Sequence, residues 1–176
     1  MKHYTWLRKM NEDRNGAPDL YEVRWLGRRY VFGTNGRAFA MVRDDVTAAE
    51  PCKFERAAQA CLTGKPTGVV SQAALDVWNG ELPGQGYMPW PIRMTMPGGR
   101  FTEAIDQRLL RRAFGRLKAP RIHIVARPPG SIRPFLFYPD DWSWIVGIMG
   151  YRDVPNKSAP VLRIQRASRL PKKRAA

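Results

Sequence analysis

Five cations on one short predicted helix are the residues of this chain best suited to binding chemistry. In DQRLLRRAFGRLK (106–118), Arg108, Arg111, Arg112, Arg116 and Lys118 follow a single acid, Asp106. Guanidinium and ammonium groups repeated along a helix can meet phosphate oxygens without touching base edges. Such contacts give affinity that is indifferent to sequence and falls with salt. Leu109, Leu110, Ala113, Phe114 and Leu117 form the apolar stripe that would hold this helix on a core. Asp106 is placed to cap its first turn, and Pro120 ends it.

Other chemistry finds less support. Asp44-Asp45 and Asp140-Asp141 follow predicted strands and sit in turns, where Asp is favoured for its local hydrogen bonds. No third carboxylate or His joins either pair by motif, so no metal site is expected. Cys52 and Cys61 make no CxxC pair, and with only His3 and His123 available no zinc site can be assembled. In the strand over 121–127, Ile122, Ile124 and Ala126 alternate with Arg121, His123 and Arg127, so His123 is expected at the surface beside arginines rather than as a base. Gly33-Thr-Asn-Gly36 lacks the Lys-Ser/Thr of a phosphate loop, and no nucleophile motif occurs. The sequence implies a protein that is not an enzyme and needs no cofactor.

Charge points to a polyanionic partner. The 176 residues carry a formal net charge of +15. Residues 1–99 hold 13 Lys/Arg and 10 Asp/Glu, whereas residues 100–176 hold 17 and 5, so the second half supplies +12 of the excess. Such a field concentrates nucleic acid locally and speeds encounter. Residues 152–176 carry 8 Lys/Arg against one Asp and read as a flexible basic tail. Within it Arg163, Arg166, Arg169, Lys172, Lys173 and Arg174 could embrace nucleic acid as an arm. The 19 aromatics argue for a packed domain. No signal peptide or membrane-length apolar run is visible, so a cytoplasmic, non-membrane protein is expected.

The elements that must position these groups fall into two runs. A short helix over 3–14, with Trp6, Leu7 and Met10 on one face, precedes strands at 20–26, 29–33 and 37–43. The turns between them are Leu26-Gly27-Arg28 and Thr34-Asn35-Gly36, where Asn-Gly favours positive φ. Residues 46–68 read as an excursion with a helix at 55–62. Ser71 should cap a further helix over 71–80, and the Gly/Pro-dense 80–99 reads as an ordered crossover. The second run is strand 100–105, helix 106–118, then strands 121–127, 132–138 and 142–151. Pro134 marks 132–138 as an edge or broken strand. Trp142 and Trp144, two apart on a strand, should share one face and pack in the sheet core, and Trp25, Trp78 and Trp90 are also expected in the core. Two runs of helix and antiparallel strands imply an α+β two-layer fold with helices on one face of the sheet.

Several strings, in order along residues 1–152, resemble one domain of the bacterial DNA polymerase III beta sliding clamp. GTNGRAFAMV (33–42) is similar to the clamp's strand-turn-strand segment with a Thr-Asp-Gly core, with Asn35 in place of the Asp. GYMPWP (86–91) resembles its Tyr-Pro-Asp-Trp crossover, and AIDQRLLRRAFGRL (104–117) its second helix with the preceding strand end. IRPFLFY (132–138) and IVGIMGYR (145–152) resemble its last two strands.

The resemblance implies a single clamp-like domain over 1–151. Its motif 1 would be about 1–45, its crossover 46–99 and its motif 2 about 100–151. It further implies a replication processivity factor that encircles double-stranded DNA, contacts the backbone and works with a polymerase or other replication protein. The lining would be Arg8 and Lys9 of the first helix together with Arg108, Arg111, Arg112, Arg116 and Lys118. A clamp subunit repeats this domain along one chain, whereas this chain has room for one, so a ring would require a homo-oligomer. Gly150 stands where clamps have Pro, which puts a clamp-type peptide pocket in doubt. The alternatives are a clamp-like protein that binds a host replication or defence protein without encircling DNA, and a sequence-specific regulator using its basic tail.

Overall fold

A computed structural model describes residues 5–8, 10, 20–53, 55–76, 91–97, 101–114, 117–127, 132–151 and 161–166. Residues 20–43 fold as predicted into a meander, β1 (Tyr21–Trp25), β2 (Arg28–Thr34) and β3 (Ala38–Arg43). The first turn is a two-residue connection in which Leu26 and Gly27 both adopt positive φ, 50° and 70°, matching the twist of the strands it joins. The second departs from expectation. Gly36 takes positive φ (84°) but Asn35 does not. Asn35 acts through its side chain instead, accepting the N–H groups of Arg37 (3.0 Å) and Ala38 (2.9 Å) with Oδ1.

The second run gives β7 (Phe101–Asp106), α4 (Gln107–Phe114), β8 (Arg121–Val125), β9 (Phe135–Pro139) and β10 (Trp144–Ile148). Strand β9 begins just after Pro134 and lies between β8 and β10, so it is central and not an edge. The proline stands before the ladder, where its missing donor costs no pairing. Between the runs come β4 (Glu50–Pro51), α2 (Glu55–Leu62), β5 (Gly68–Ser71), α3 (Gln72–Asp76) and β6 (Pro91–Thr95). Ser71 caps α3 as expected, its Oγ accepting the Ala74 N–H at 3.2 Å.

An eight-stranded sheet results, in the order β4-β1-β2-β3-β10-β9-β8-β5. The two runs meet where β3 pairs antiparallel with β10, Met41 opposite Ile145 and Ala40 opposite Val146. Exchanging β1 with β8, β2 with β9 and β3 with β10 leaves the central order unchanged. A second, four-stranded sheet runs β11-β7-β6-β12, with β11 (Gly150–Tyr151) following β10 almost directly and β12 (Val161–Arg163) parallel to β6. The chain is therefore mixed α+β and rich in strand.

Each face of the large sheet has its own core. On one face, Val31, Ala40, Ile122, Phe137 and Val146 pack with Leu7 of α1 (Thr5–Arg8), Leu75 of α3, Leu110 and Phe114 of α4, and Ile92, Met94 and Ile105 of the small sheet. On the reverse face, Tyr30, Met41, Leu136, Tyr138 and Ile145 pack with Leu62 of α2. The expectation of helices on one face only is thus corrected. Strands β9 and β10 carry apolar residues at successive positions and are buried throughout. A strand patterned that way needs cover on both sides.

Two further expectations change. Residues 161–166, placed in the flexible tail by charge, enter the sheets: Leu162 and Ile164 are buried, and Gln165 and Val69 exchange both backbone hydrogen bonds at 2.9 Å. The apolar alternation of Leu162 and Ile164 outweighs the charge of Arg163 and Arg166, which point outward and stay solvated. Trp142 and Trp144 do not share a face. Trp142 lies in the β9–β10 turn at φ 56°, so strand alternation does not apply to it. Of the crossover expected over 80–99, residues 91–95 form strand β6, while residues 80–90 and 98–99 lie outside the described residues, as do the outer parts of helices 3–14 and 71–80.

Gly68 makes the docking of 161–166 testable. A Cβ there would sit 2.3 Å from Ile164 Cγ2 and 2.5 Å from the Gln165 carbonyl oxygen. Gly68→Ala should cost about 1–3 kcal/mol through overpacking and lower the melting temperature by roughly 2–4 °C for each kcal/mol. An unchanged calorimetric melting temperature would show that this segment is not seated on β5.

Candidate nucleic-acid interface

Helix α4 starts where the sequence placed it but is shorter than the expected 106–118: it ends at Phe114, and Leu117 and Lys118 follow it outside the helix. Leu110, Ala113 and Phe114 are buried, and Leu109 and Leu117 pack partly against the same core. Phe114 meets Phe137 and Trp144 edge-on, with ring centroids 5.4 and 5.5 Å away. These contacts fix the roll of the helix and leave Arg108, Arg111 and Arg112 along its half-exposed side. The cap forms: buried Asp106 accepts the Arg108 N–H with Oδ1 at 2.8 Å.

The free positive charge is smaller than the sequence count. Arg108 folds back on its own cap, Nη2 to Asp106 Oδ2 at 3.2 Å. Lys118 is exposed but lies 2.6 Å from Asp76 of α3. Nothing in the local pattern pointed to that partner, because Asp76 is far from Lys118 along the chain and belongs to α3. Arg111 and Arg112 stand beside Arg108 on the half-exposed side of the helix. Arg8 is exposed on α1, whose Leu7 shares the core beneath α4, so the two helices lie in one layer. Lys9, Arg116, Lys172, Lys173 and Arg174 lie outside the described residues; of the expected lining the structure describes Arg8 on α1, Arg108, Arg111 and Arg112 on α4, and Lys118 after it, and the two helices pack on one core.

Sequence reasoning missed a second cluster, at the end of the large sheet where β1 turns into β2 and β9 into β10. There Arg28 donates to the Asp141 carbonyl oxygen (3.0 Å) and the Tyr30 hydroxyl to the Trp142 carbonyl oxygen (2.9 Å). Burial pushes the Tyr30 phenol above its ordinary pKa, which keeps it a neutral donor. The Ser143 N–H, donating to Asp141 Oδ1 at 3.0 Å, is the main cause that holds the Asp141 carboxyl below the usual carboxylate range. This contact stabilises the turn above that range and is lost as pH falls through the depressed value. Trp142 stacks on Tyr138 (centroids 3.8 Å, 15° between planes), and Tyr138 on His123 (5.3 Å, 22°). His123 is mostly buried, contrary to the surface position expected of it, with Nε2 2.5 Å from Asp140 Oδ1. Stacking between neighbouring strands, invisible to alternation alone, draws it in. The positive φ of Trp142 had no sequence signal, since bulky residues rarely adopt it.

The other acidic pair serves a turn, as the sequence suggested. Asp44 Oδ1 accepts the N–H groups of Val46 (2.7 Å) and Thr47 (2.8 Å). Arg127, expected on a polar strand face, is buried. It donates to the carbonyl oxygens of Cys61, Thr63 and Pro134, closing the C-terminal end of α2. Burial holds its pKa below the ordinary arginine value.

No protein-family model, no curated protein and no solved structure matches this chain. Among the described residues no helix is long and apolar enough to cross a membrane.

The cap offers a direct check on the helix. Asp106→Ala should destabilise the protein by about 1–2 kcal/mol, while Asp106→Asn, which keeps an acceptor, should cost less. Equal melting temperatures for the two variants would show that the carboxylate does not cap α4.

Proposed function

We propose that this chain is a clamp-like, non-enzymatic DNA-binding protein that holds the duplex backbone through α4 and α1. The observation that carries the reading is the repeated unit. Helix α1 precedes β1-β2-β3, helix α4 precedes β8-β9-β10, and the two units join across β3 and β10 with both helices over one face. Together with the order of the string resemblance, this supports a sliding-clamp type of domain. The +12 half and the half-exposed Arg111 and Arg112 support phosphate as the ligand. A cytoplasmic processivity or replication accessory factor, self-assembled as a ring of roughly six copies, is the function this fits.

A specific observation favours a second reading, a clamp-like interaction protein that does not encircle DNA. Both ends of the large sheet are capped by the chain itself. At one end the edge strand β4 pairs only with Tyr21 and Glu22 of β1, and beyond it α2 covers β1: the Arg24 N–H donates to Glu55 Oε1 (3.0 Å) and Gln59 Nε2 donates to the Arg24 carbonyl oxygen (2.8 Å). At the β5 edge Val69 is paired with Gln165. Edges closed in this way resist strand addition from another copy. A ring would have to join through the small sheet or through side chains.

The double reversal Arg111→Glu/Arg112→Glu should weaken binding to a short duplex at least about tenfold and flatten the log-log salt dependence by roughly two. Unchanged affinity would remove α4 as the contact. Light scattering separates the two readings. A salt-resistant closed oligomer supports the ring, and a monomer at every concentration leaves the interaction protein.

A further inference from the structure

We propose a second nucleic-acid site on the reverse face of the large sheet: a platform on which Trp142 stacks an unpaired base of single-stranded nucleic acid, with Arg28, Arg43 and Arg121 around it for phosphates. This face is opposite the one that carries α4, so the inference does not rest on the reading of that helix.

The first observation is the backbone of Trp142. A tryptophan at φ 56° is an outlier, and such a conformation persists only where surrounding contacts over-determine it. Four hydrogen bonds do so here. The Trp142 N–H donates to the Pro139 carbonyl oxygen, and the Trp142 carbonyl oxygen accepts from Tyr30. Asp141 accepts from Ser143 through its carboxylate and from Arg28 through its carbonyl oxygen. These bonds fix the backbone that carries the indole, and the stack on Tyr138 holds the ring, which lowers the ordering cost of binding.

The second observation is the stack. His123 and Tyr138 are cross-strand partners on β8 and β9, and Trp142 lies against Tyr138. Tyr138 is 4% exposed, whereas Trp142 at the end of the stack is only partly buried. A row of π-faces ending in a ring that reaches solvent is the arrangement on which successive bases continue a stack, whatever their identity.

The third observation is charge. Alternation along β2, β3 and β8 puts Arg28, Arg43 and Arg121 on the same face as Tyr30, Met41 and His123. Arg28 and Arg43 are exposed and Arg121 is half-exposed. The acids in the patch are engaged: Asp140 faces His123, and Asp141 holds the turn. Cations interleaved with an aromatic ring suit a flexible strand, which can bring both a base and its phosphates to one small patch. A rigid duplex presents no unpaired base face.

The test compares three fluorescent probes of equal length in polarisation titrations at fixed salt: oligo-dT, an abasic oligodeoxynucleotide and a duplex. The wild-type chain should bind oligo-dT about tenfold more tightly than the abasic strand. Equal affinity for the two would overturn the proposal, because phosphate contacts alone would then account for binding. Trp142→Ala should lose that preference and leave duplex binding unchanged. If it fails to fold, Arg121→Glu, at a half-exposed strand end, should weaken oligo-dT binding about fivefold with the melting temperature retained. No change in that variant would also overturn the proposal. Arg111→Glu/Arg112→Glu should lower duplex affinity and keep the base preference, so failure of the helix interface and failure of the stacking platform give different patterns.

Discussion

The antiparallel pairing of β3 with β10 is the contact on which the rest of this structure depends. It joins residues 38–42 to residues 144–148, and every strand of the first run reaches the second through it. One side-chain fit holds it. Gly147 faces Phe39, and a Cβ at Gly147 would stand 2.1 Å from the Phe39 ring. A bare backbone on one strand lets the aromatic ring of its neighbour lie down on it. A glycine in a strand interior weakens local propensity, and here the packing of a large ring compensates.

Two cores follow from that junction. One lies under α1, α3, α4 and the small sheet, and it sets the roll of α4 and hence which arginines meet solvent. The other lies under α2 and sets the stack of His123, Tyr138 and Trp142. The proposed duplex contact and the proposed base platform are therefore on opposite sides of one sheet, each positioned by a different core. On the proposed reading, paired and unpaired nucleic acid would not compete for one surface.

Much of the candidate site was legible along the chain, and the reason is periodicity. The stripe of Leu110, Ala113 and Phe114 dictates which side of α4 is buried, and Asp106 marks where the helix starts. What could not be read was pairing between distant residues. Lys118 looked free until α3 brought Asp76 to it, and Arg127 looked solvated until the carbonyl groups at the end of α2 took its donors. Strands β5, β6 and β12 were missed for a related reason. Strands β5 and β12 are short, β6 lies in a Gly/Pro-dense stretch, and each is stabilised by a partner from elsewhere in the chain rather than by its own pattern.

The sequence by itself determined the α+β class, both three-stranded meanders, the amphipathic helix and the concentration of charge in the second half. Those are local properties, written in apolar spacing, turn residues and composition. Only the tertiary structure decided that the sheet is covered on both faces, that residues 161–165 pair with the sheets rather than forming free tail, and that Trp142 and Trp144 part company. Each of these depends on contacts between residues far apart in sequence. Such contacts can override a local preference, as the four hydrogen bonds that hold Trp142 at positive φ override strand alternation.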